Sequence, residues 1–425
     1  MNFGRSKLKP ILRAFESRNY RLFFAGQAIS LIGTWMTQIA TVWLVYELTD
    51  SALLLGIVGF SSQIPNFVLA PFGGILVDRW NRHRILIGTQ ALSMLQSLAL
   101  AFLALTGTIA IWHIILLSLF QGLISAVDSP ARQAFLMEII DKKENLGNAI
   151  ALNSSVFNGA RLVGPAIAGL LIASVGAGIC FLIDGLSYIA VIAGLLAMNL
   201  KPRIITPQPG NVWQRLKEGF NYAFGFPPIR AILLLLALFS FMGMPYTVLV
   251  PVFATKILQG GAQTLGFLMA AVGVGALIGG IYLSSRQSVV GLGKIIAFSP
   301  AALGVALIIF SQSRLLWLSL LMMLMVGCAS ILQIASSNTI LQTIVEEDKR
   351  GRLMSFYTMA FLGVLPFGNL ASGALASRIG APNTVMIGGL FCILGSFVFA
   401  KQLPTLRRLV RPIYHKIGLL SKFYS

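Results

Sequence analysis

The 425-residue chain is 56% hydrophobic and only 11% charged, and its mean hydropathy is +0.83. Soluble proteins carry about 25% charged residues, so this composition excludes a soluble enzyme and indicates an all-α membrane protein with many spans. The formal net charge of +19 would suit nucleic acid. The charges are scattered between apolar segments, however, and we therefore expect no nucleic-acid partner.

Twelve apolar segments are each long enough to cross a bilayer as a helix, which needs roughly 20 residues. The first is too long for the core of a signal peptide, so we expect it to remain as a spanning helix. The predicted spans are 22–47, 52–77, 85–106, 111–134, 148–173, 179–199, 230–255, 263–284, 295–312, 315–344, 353–377 and 384–402.

The basic residues are distributed unevenly between the two sets of connections. Of the 32 Lys and Arg residues, 28 lie in the ends and the connections of one set. The opposite set holds three, and Arg161 falls inside a predicted helix. Cytoplasmic connections carry the excess of Lys and Arg, so this pattern predicts that both termini are cytoplasmic.

A proline-rich connection divides the chain into two similar halves. We expect a six-helix half over 1–199, a cytoplasmic linker over 200–229, a second six-helix half over 230–402 and a basic tail over 403–425. Apolar spacing predicts an amphipathic surface helix at 212–224, and the tail is suited to anionic lipid. The halves share glycine patterns, because Gly164 and Gly169 recur 204 positions later as Gly368 and Gly373.

The connection between the second and third spans carries one acid and three arginines in a short stretch. It resembles the signature of the major facilitator superfamily, carried here by Gly74, Leu76, Asp78, Arg79, Arg82 and Arg84, with Asn81 where the family has glycine. The resemblance implies twelve helices in two pseudo-symmetric halves, a substrate pathway between them and alternating access.

The resemblance also implies a gating latch at this turn. Asp78 is expected to accept hydrogen bonds from the free N–H groups that begin the eleventh helix. Arg82 is expected to pair with an acid at the cytoplasmic end of the fourth helix, for which Asp128 is the candidate; Arg132 lies just beyond it. We expect this latch to stabilise the outward-open state. The alternative is a plain positive-inside turn without a gating role.

A second motif lies in the fifth span. The stretch from Ala160 to Gly169, which includes Gly164 and Pro165, resembles the antiporter motif of the superfamily, and that motif is associated with exporters. Pro165 removes a backbone donor and kinks the helix, and the two glycines leave room for a neighbouring helix. The alternative is a kinked packing helix without directional meaning.

Two ionisable residues, Arg161 and Asp184, lie well inside predicted helices. A charge at mid-membrane costs about 2.5–3.5 kcal/mol on insertion scales, so each should face a cavity or a partner. Asp184 is the candidate for proton coupling. Arg161 either contributes to coupling by neutralising Asp184 or binds an anionic or carbonyl-rich substrate. A purely structural pair between the two residues is the alternative.

Other polar and aromatic side chains at helical spacing are candidates for substrate contact. Most could equally be interhelical hydrogen-bond or packing groups. The candidates are Trp35, Gln38, Gln63, Asn66, Asn158, Tyr246, Gln333 and Asn338.

The sequence contains no constellation typical of an enzyme, a metal site or a cofactor site, and no phosphate-binding loop. An ion gradient, most simply of protons, is therefore the expected energy source. The stretches 129–135, 148–154 and 160–165 resemble the bacterial branch that includes the enterobactin exporter and drug efflux pumps. That implies a monomeric, lipid-embedded transporter of the bacterial inner membrane that exports a siderophore or a hydrophobic drug-like compound. The alternatives are a lipid or lysophospholipid transporter and a non-transporting sensor or assembly protein.

Overall fold

A computed structural model describes residues 13–140, 142–200, 221–286, 288–346 and 349–416. These residues contain twelve helices that are long and apolar enough to cross a membrane, which confirms the predicted number of spans. The helices are α1 (Arg18–Thr49), α2 (Ala52–Arg79), α3 (Arg82–Leu105), α4 (Ile111–Ile139), α5 (Leu146–Val175), α6 (Ala177–Leu196), α7 (Pro227–Ile257), α8 (Ala262–Ser284), α9 (Leu292–Gln312), α10 (Leu316–Ile344), α11 (Arg350–Ile379) and α12 (Ala381–Lys416). Most of the predicted helix at 212–224 lies outside the described residues.

Contacts divide the chain into two compact units. The first contains Met1–Asp50, Ser61–Gln208 and Gly261–Ala270, and the second contains Ser51–Phe60, Pro209–Gly260 and Ala271–Ser425. The division cuts through α2 and α8, so the first turns of each of these helices group with the unit that does not contain the rest of the helix.

In the first unit, α1 packs against α5 and α6, and α3 packs against α4 and α6. Ser17 caps the start of α1 and also donates from Oγ to the carbonyl of Ile139, 2.7 Å away. The hydroxyl of the buried Tyr20 donates to the carbonyl of Ala149 at 3.1 Å. The start of α1 is therefore joined by hydrogen bonds to the end of α4 and the start of α5.

Helix α4 is longer than predicted. The predicted span of 111–134 already includes Pro130 and left room for an extension past the membrane, and the helix continues to Ile139. Proline removes only one backbone donor, and a helix tolerates it when side-chain packing compensates for the lost bond. Here Ala131 and Phe135, just beyond the proline, are completely buried and anchor the last turns against the first unit.

Helix α12 also exceeds its predicted end at 402 and continues through Pro404 to Lys416. In this extension Leu406 and Val410, one turn apart, are buried, whereas Arg407 and Arg408 are exposed. The first part of the predicted basic tail is thus an amphipathic continuation of the last spanning helix.

The glycine repeat has a structural counterpart in both units. A Cβ atom on Gly164 of α5 would lie 2.6 Å from Cβ of Trp35 on α1. A Cβ atom on Gly368 of α11 would lie 2.5 Å from the carbonyl oxygen of Phe241 on α7. Trp35 and Phe241 are 206 positions apart, close to the 204 that separate the two glycines. Equivalent helices therefore approach each other at equivalent glycines, as an internal repeat requires.

Among the described residues of the second unit, one π-helical turn, Phe253–Ile257, ends α7, and two further π-helical turns lie inside helices. One is Phe239–Gly243 in α7 and the other is Met359–Gly363 in α11, and the two turns contact each other. The Ser240 hydroxyl of the first donates to the carbonyl of Phe361 in the second. Turns of this type widen the helix and leave carbonyl groups in need of donors, so this side-chain bond satisfies one of them.

Candidate functional site

Asp184 lies on α6 in the first unit, and its side chain is almost completely buried. One carboxylate oxygen, Oδ2, accepts from the hydroxyls of Thr37 on α1 at 2.9 Å and Ser97 on α3 at 2.8 Å. The other, Oδ1, has no hydrogen-bond partner among the described residues. It sits beside Gly33, where a Cβ atom would lie only 2.7 Å away. The carboxyl group is thus held by neutral hydroxyls alone.

The hypothesis of a pair between Asp184 and Arg161 is wrong. The guanidinium of Arg161 lies over the ring of Trp35, with Cζ 5.7 Å from the ring centroid. Trp35 and Thr37 are two residues apart on α1, and successive helical residues are rotated by about 100°, so the two side chains leave opposite faces of that helix. Helix α1 therefore separates the acid from the base.

Arg161 belongs to a small cationic and aromatic cluster, which we call the Arg161 cluster: Trp35, Phe157 and Arg161. The rings of Trp35 and Phe157 meet edge to face, with centroids 5.7 Å apart and an interplanar angle of 69°. No carboxylate of the described residues lies within ion-pair distance of Arg161. The structure thus brings together Arg161 and Trp35, which were predicted separately.

Asp128 forms a second polar network in the first unit. Its Oδ1 accepts from Thr89 at 2.7 Å and from Gln90 at 2.8 Å, and its Oδ2 accepts from two nitrogens of Arg132. The remaining guanidinium nitrogen of Arg132 donates to Gln27 of α1. This network joins α1, α3 and α4, and it satisfies both oxygens of the acid.

The predicted partner of Arg82 is also wrong. Arg82 does not reach Asp128, and instead its Nη1 lies 2.8 Å from Oε1 of Glu138. Glu138 belongs to the last turn of α4, which the sequence analysis placed outside the helix. Asp128 lies ten residues earlier, almost three turns away, and it already has Arg132 as its cation.

Other residues of the motif have varied environments. Asn81 has an extended backbone and caps α3 by accepting from the backbone N–H of Arg84 at 3.2 Å. The side chains of Arg79 and Arg84 are exposed. The structure describes the backbone at Gly74 and Asp78 but not the surroundings of Gly74 or the side chain of Asp78, so the role of Asp78 stays a prediction.

His83, which the sequence analysis did not single out as a site residue, lies 2.7 Å from the carbonyl of Leu195 through Nε2 and stacks on Phe135. Because a carbonyl only accepts, this nitrogen carries the proton. The imidazole therefore ties the turn between α2 and α3 to the end of α6.

The antiporter-like motif shows the close helix approach that its glycines predict. Gly164 lies against Trp35, and Pro165 is buried inside α5 without ending it. A Cβ atom on Gly169 would lie 2.8 Å from the Cα of Gly266 and 2.8 Å from the carbonyl oxygen of Ala262. Both α5 and the start of α8 therefore depend on glycine at this crossing.

The remaining candidates are dispersed, and several bond within their own helix. Asn158 donates to the carbonyl of Ser154, Gln333 donates weakly to Ser337, and Asn338 accepts from Gln342. Gln333 and Tyr246 are buried, Gln38 is exposed, and Gln63, Asn66 and Asn338 are half-buried. Their role in substrate contact stays a prediction. The described residues hold no group of three or more His, Cys, Asp or Glu side chains suited to a metal ion.

Several residues of these networks were missed by the sequence analysis. Thr37 and Ser97 are the partners of Asp184, and Thr89 and Gln90 are partners of Asp128. Single hydroxyls and amides in apolar helices are common interhelical bonds, so nothing in their own spacing marks them. One indication was available for Thr37: it shares a helix face with Gly33, and a small residue on that face lets another helix approach closely.

Comparison with known proteins agrees with this architecture. The chain is similar to the staphyloferrin A transporter of Staphylococcus aureus, at 28% identity over 89% of this chain and 95% of that protein. It is 26% identical to macrolide efflux protein A of Streptococcus pyogenes, over 88% and 94% of the two chains. It is 24% identical to the enterobactin exporter EntS of Salmonella typhi, over 92% and 93%.

Among solved structures, a peptide transporter POT in complex with sulfate aligns with a TM-score of 0.73 at 12% identity, covering 92% of this chain and 96% of that one. A bacterial homologue of the human lysosomal transporter Spinster aligns with a TM-score of 0.69 at 14% identity, over 92% and 98%. At these identities the likeness shows the fold. The model of the family described as transmembrane secretion effector matches residues 10–410. The chain is therefore a multi-pass transporter, not an enzyme, and it belongs to the transmembrane secretion effector family of the major facilitator superfamily.

Proposed function

We propose that this transporter exports a small organic molecule, a siderophore or a hydrophobic drug-like compound, in exchange for protons by alternating access. Both substrate classes are supported by relatives whose names state a cargo. These are a staphyloferrin A transporter, an enterobactin exporter and a macrolide efflux protein. The antiporter-like motif on α5 supports the outward direction.

The observation that carries the coupling proposal is the environment of Asp184. A buried carboxylate normally has a cationic partner, because desolvation of an unpaired charge is costly. Asp184 has two hydroxyl donors on one oxygen and no partner on the other among the described residues. The free oxygen is thus positioned to carry a proton in the buried state. Release of that proton requires water or a substrate group to reach Oδ1.

Conversion between access states should change this environment, because the hydroxyls that hold Oδ2 come from two different helices, α1 and α3. A relative movement of α1, α3 and α6 would expose Oδ1 or withdraw one of the donors. Proton loss on one side of the membrane and proton uptake on the other would then drive the cargo outward.

The orientation belongs to the same proposal. The excess of basic residues supports an orientation in which both termini, the turn between α2 and α3, and the Arg82–Glu138 pair face the cytoplasmic side of a bacterial inner membrane. Asp184 then lies within the bilayer, and we expect the functional unit to be a monomer.

Secretion profiling tests the export proposal. Culture supernatants of wild-type and deletion cells are compared by mass spectrometry under iron-poor and iron-rich conditions, and macrolide sensitivity is measured in parallel. We expect either an iron chelator that is missing from the deletion supernatant or increased macrolide sensitivity. The deletion strain is then complemented with wild type, Asp184→Asn, or Glu47→Gln as a matched control, which removes an exposed acid at the end of α1. Restoration by Asp184→Asn as complete as by wild type would contradict the coupling role.

A further inference from the structure

Arg161 is a cation within a spanning helix, and no acid among the described residues balances its charge. It is the sixteenth of the 30 residues of α5, halfway along the helix. Among the described residues no carboxylate reaches it, and no hydrogen bond from its guanidinium is formed. The residue is half-buried, so part of its side chain is open to the space beside the helices.

That volume must be polar or occupied, for energetic reasons. An arginine that faced hydrocarbon at this depth would carry a large insertion cost, and snorkelling from the middle of a 30-residue helix does not reach the interface. The buried acid nearest in sequence is Asp184. It lies on the far side of α1, and its carboxylate accepts hydrogen bonds from the hydroxyls of Thr37 and Ser97. No acid among the described residues supplies the compensating charge, which leaves a bound group as its source.

The surroundings of Arg161 restrict the chemistry of that charge. A guanidinium presents a planar fork of donors that matches a carboxylate in a bidentate pair. Only one cation is present in the cluster, so a singly charged group is balanced, whereas a doubly charged phosphate is not. Trp35 holds the cation over its ring face and leaves the fork free to donate.

The aromatic part of the cluster supplies an apolar surface next to the cation. Phe157 is one turn before Arg161 on α5. Its side chain is 46% exposed although the residue is far from both ends of the helix. Trp35 is fixed from behind, because the tight crossing at Gly164 holds its Cβ against α5. The ring edges and the cation are therefore preorganised, which reduces the entropy lost on binding.

We propose that the Arg161 cluster binds the carboxylate of an aryl carboxylate, with Arg161 paired to the oxygens and the aromatic part of the ligand against Phe157. This subsite deepens the proposed export function and rests on it for its biological role. The binding itself is an equilibrium property of the first unit and needs no proton gradient.

Equilibrium dialysis of the purified full-length protein in detergent tests the subsite with two probes of equal size. These are 2-naphthoate, which carries the carboxylate, and 2-naphthamide, which does not. Charge-assisted hydrogen bonds contribute about 1.5–3 kcal/mol, so we expect naphthoate to bind about ten- to a hundredfold more tightly than the amide. No binding of naphthoate at millimolar concentration, or equal binding of the two probes, would overturn the proposal.

Variants then assign the preference to the cluster. Arg161→Gln should abolish the difference between the probes, and Arg161→Lys should retain part of it because a point charge replaces the fork. Arg18→Gln, at an exposed position at the start of α1, is the matched charge control and should bind like wild type. Trp35→Phe should weaken both probes, whereas Trp112→Phe, at an exposed position of α4, should not.

The outcome is separable from the proton-coupling proposal. If naphthoate binding depends on Arg161 while Asp184→Asn still supports proton-driven transport, the coupling proposal fails and the subsite stands. If the probes bind equally while Asp184→Asn abolishes coupled transport, the subsite fails and the coupling proposal stands. If Arg161→Gln does not fold, the comparison of the two probes on wild type and Arg161→Lys still decides the question.

Discussion

The crossing of α5 with the start of α8 permits a prediction with an internal control on the same helix. A Cβ atom at Gly169 would lie 2.8 Å from the Cα of Gly266 and 2.8 Å from the carbonyl oxygen of Ala262, so it meets backbone that cannot rotate away. A Cβ atom at Gly159 meets nothing within 4 Å. The same substitution is thus crowded at one position and free at the other.

The expected effects have opposite signs. Overpacking costs about 1–3 kcal/mol, and replacement of a helical glycine by alanine gains about 1 kcal/mol of helix propensity. Gly169→Ala should therefore lie between no change and a loss of about 2 kcal/mol, whereas Gly159→Ala should gain up to about 1 kcal/mol. Gly169→Leu, which adds a longer side chain against the same backbone, should be worse than Gly169→Ala.

The assay is thermal unfolding of the purified variants in one detergent, followed by fluorescence of a thiol dye or by light scattering. We expect the apparent melting temperatures to fall in the order Gly159→Ala, wild type, Gly169→Ala and Gly169→Leu. If Gly169→Ala melts at or above Gly159→Ala, α5 and α8 are not in backbone contact there, and the packing argument for the antiporter-like motif fails.

Two further predictions concern pairs of residues within one unit. Arg82→Glu and Glu138→Arg should each reduce transport, and the double variant should recover part of it, because the partly buried ion pair contributes about 1 kcal/mol. A double variant no more active than the worse single variant would contradict a functional pair. Ser240→Ala should lower the apparent melting temperature by leaving the carbonyl of Phe361 without its donor, at a cost of about 1–3 kcal/mol. The control Ser284→Ala removes an exposed hydroxyl that bonds within its own helix, and an equal loss in both variants would contradict the role of the bond between the π turns.

The number of spans could be predicted from sequence because the bilayer imposes a minimum apolar length on each helix. Helix ends were harder, because the bilayer sets the apolar length of a span but not how far its helix continues beyond the membrane; the fourth span was predicted to stop at 134. In α4 the completely buried Ala131 and Phe135 pack the last turns against the first unit, and the helix continues to Ile139. That error removed Glu138 from the helix and made Asp128 the apparent partner of Arg82.

The buried charges illustrate a different limit. Arg161 and Asp184 both lie inside helices that are long and apolar enough to span, but a pairing hypothesis requires knowledge of which helix lies between them. Trp35 and Thr37 of α1 contact one of these residues each, and they leave opposite faces of the helix. Helical periodicity shows that Trp35 and Thr37 face opposite sides of α1. It separates Arg161 from Asp184 only once α5 and α6 are known to pack against those two sides.

The two π turns that contact each other, Phe239–Gly243 and Met359–Gly363, had no recognised signal in the sequence. Pro245 and Pro366 follow the two turns within three residues, and a proline leaves a carbonyl four residues earlier without its donor. Apolar periodicity averages over such a local widening, so the segment at 230–255 predicted a regular helix. The contact between the two turns depends on packing within the second unit.

Proton release by inverted membrane vesicles tests the central claim most directly. Vesicles are acidified by respiration, the pH gradient is followed with a quenched acridine dye, and the cargo found by secretion profiling is added. We expect cargo to restore fluorescence in vesicles with wild type and with the surface control Glu47→Gln, but not in vesicles with Asp184→Asn at equal expression. Fluorescence recovery with Asp184→Asn equal to that of wild type would contradict proton coupling through this carboxyl group.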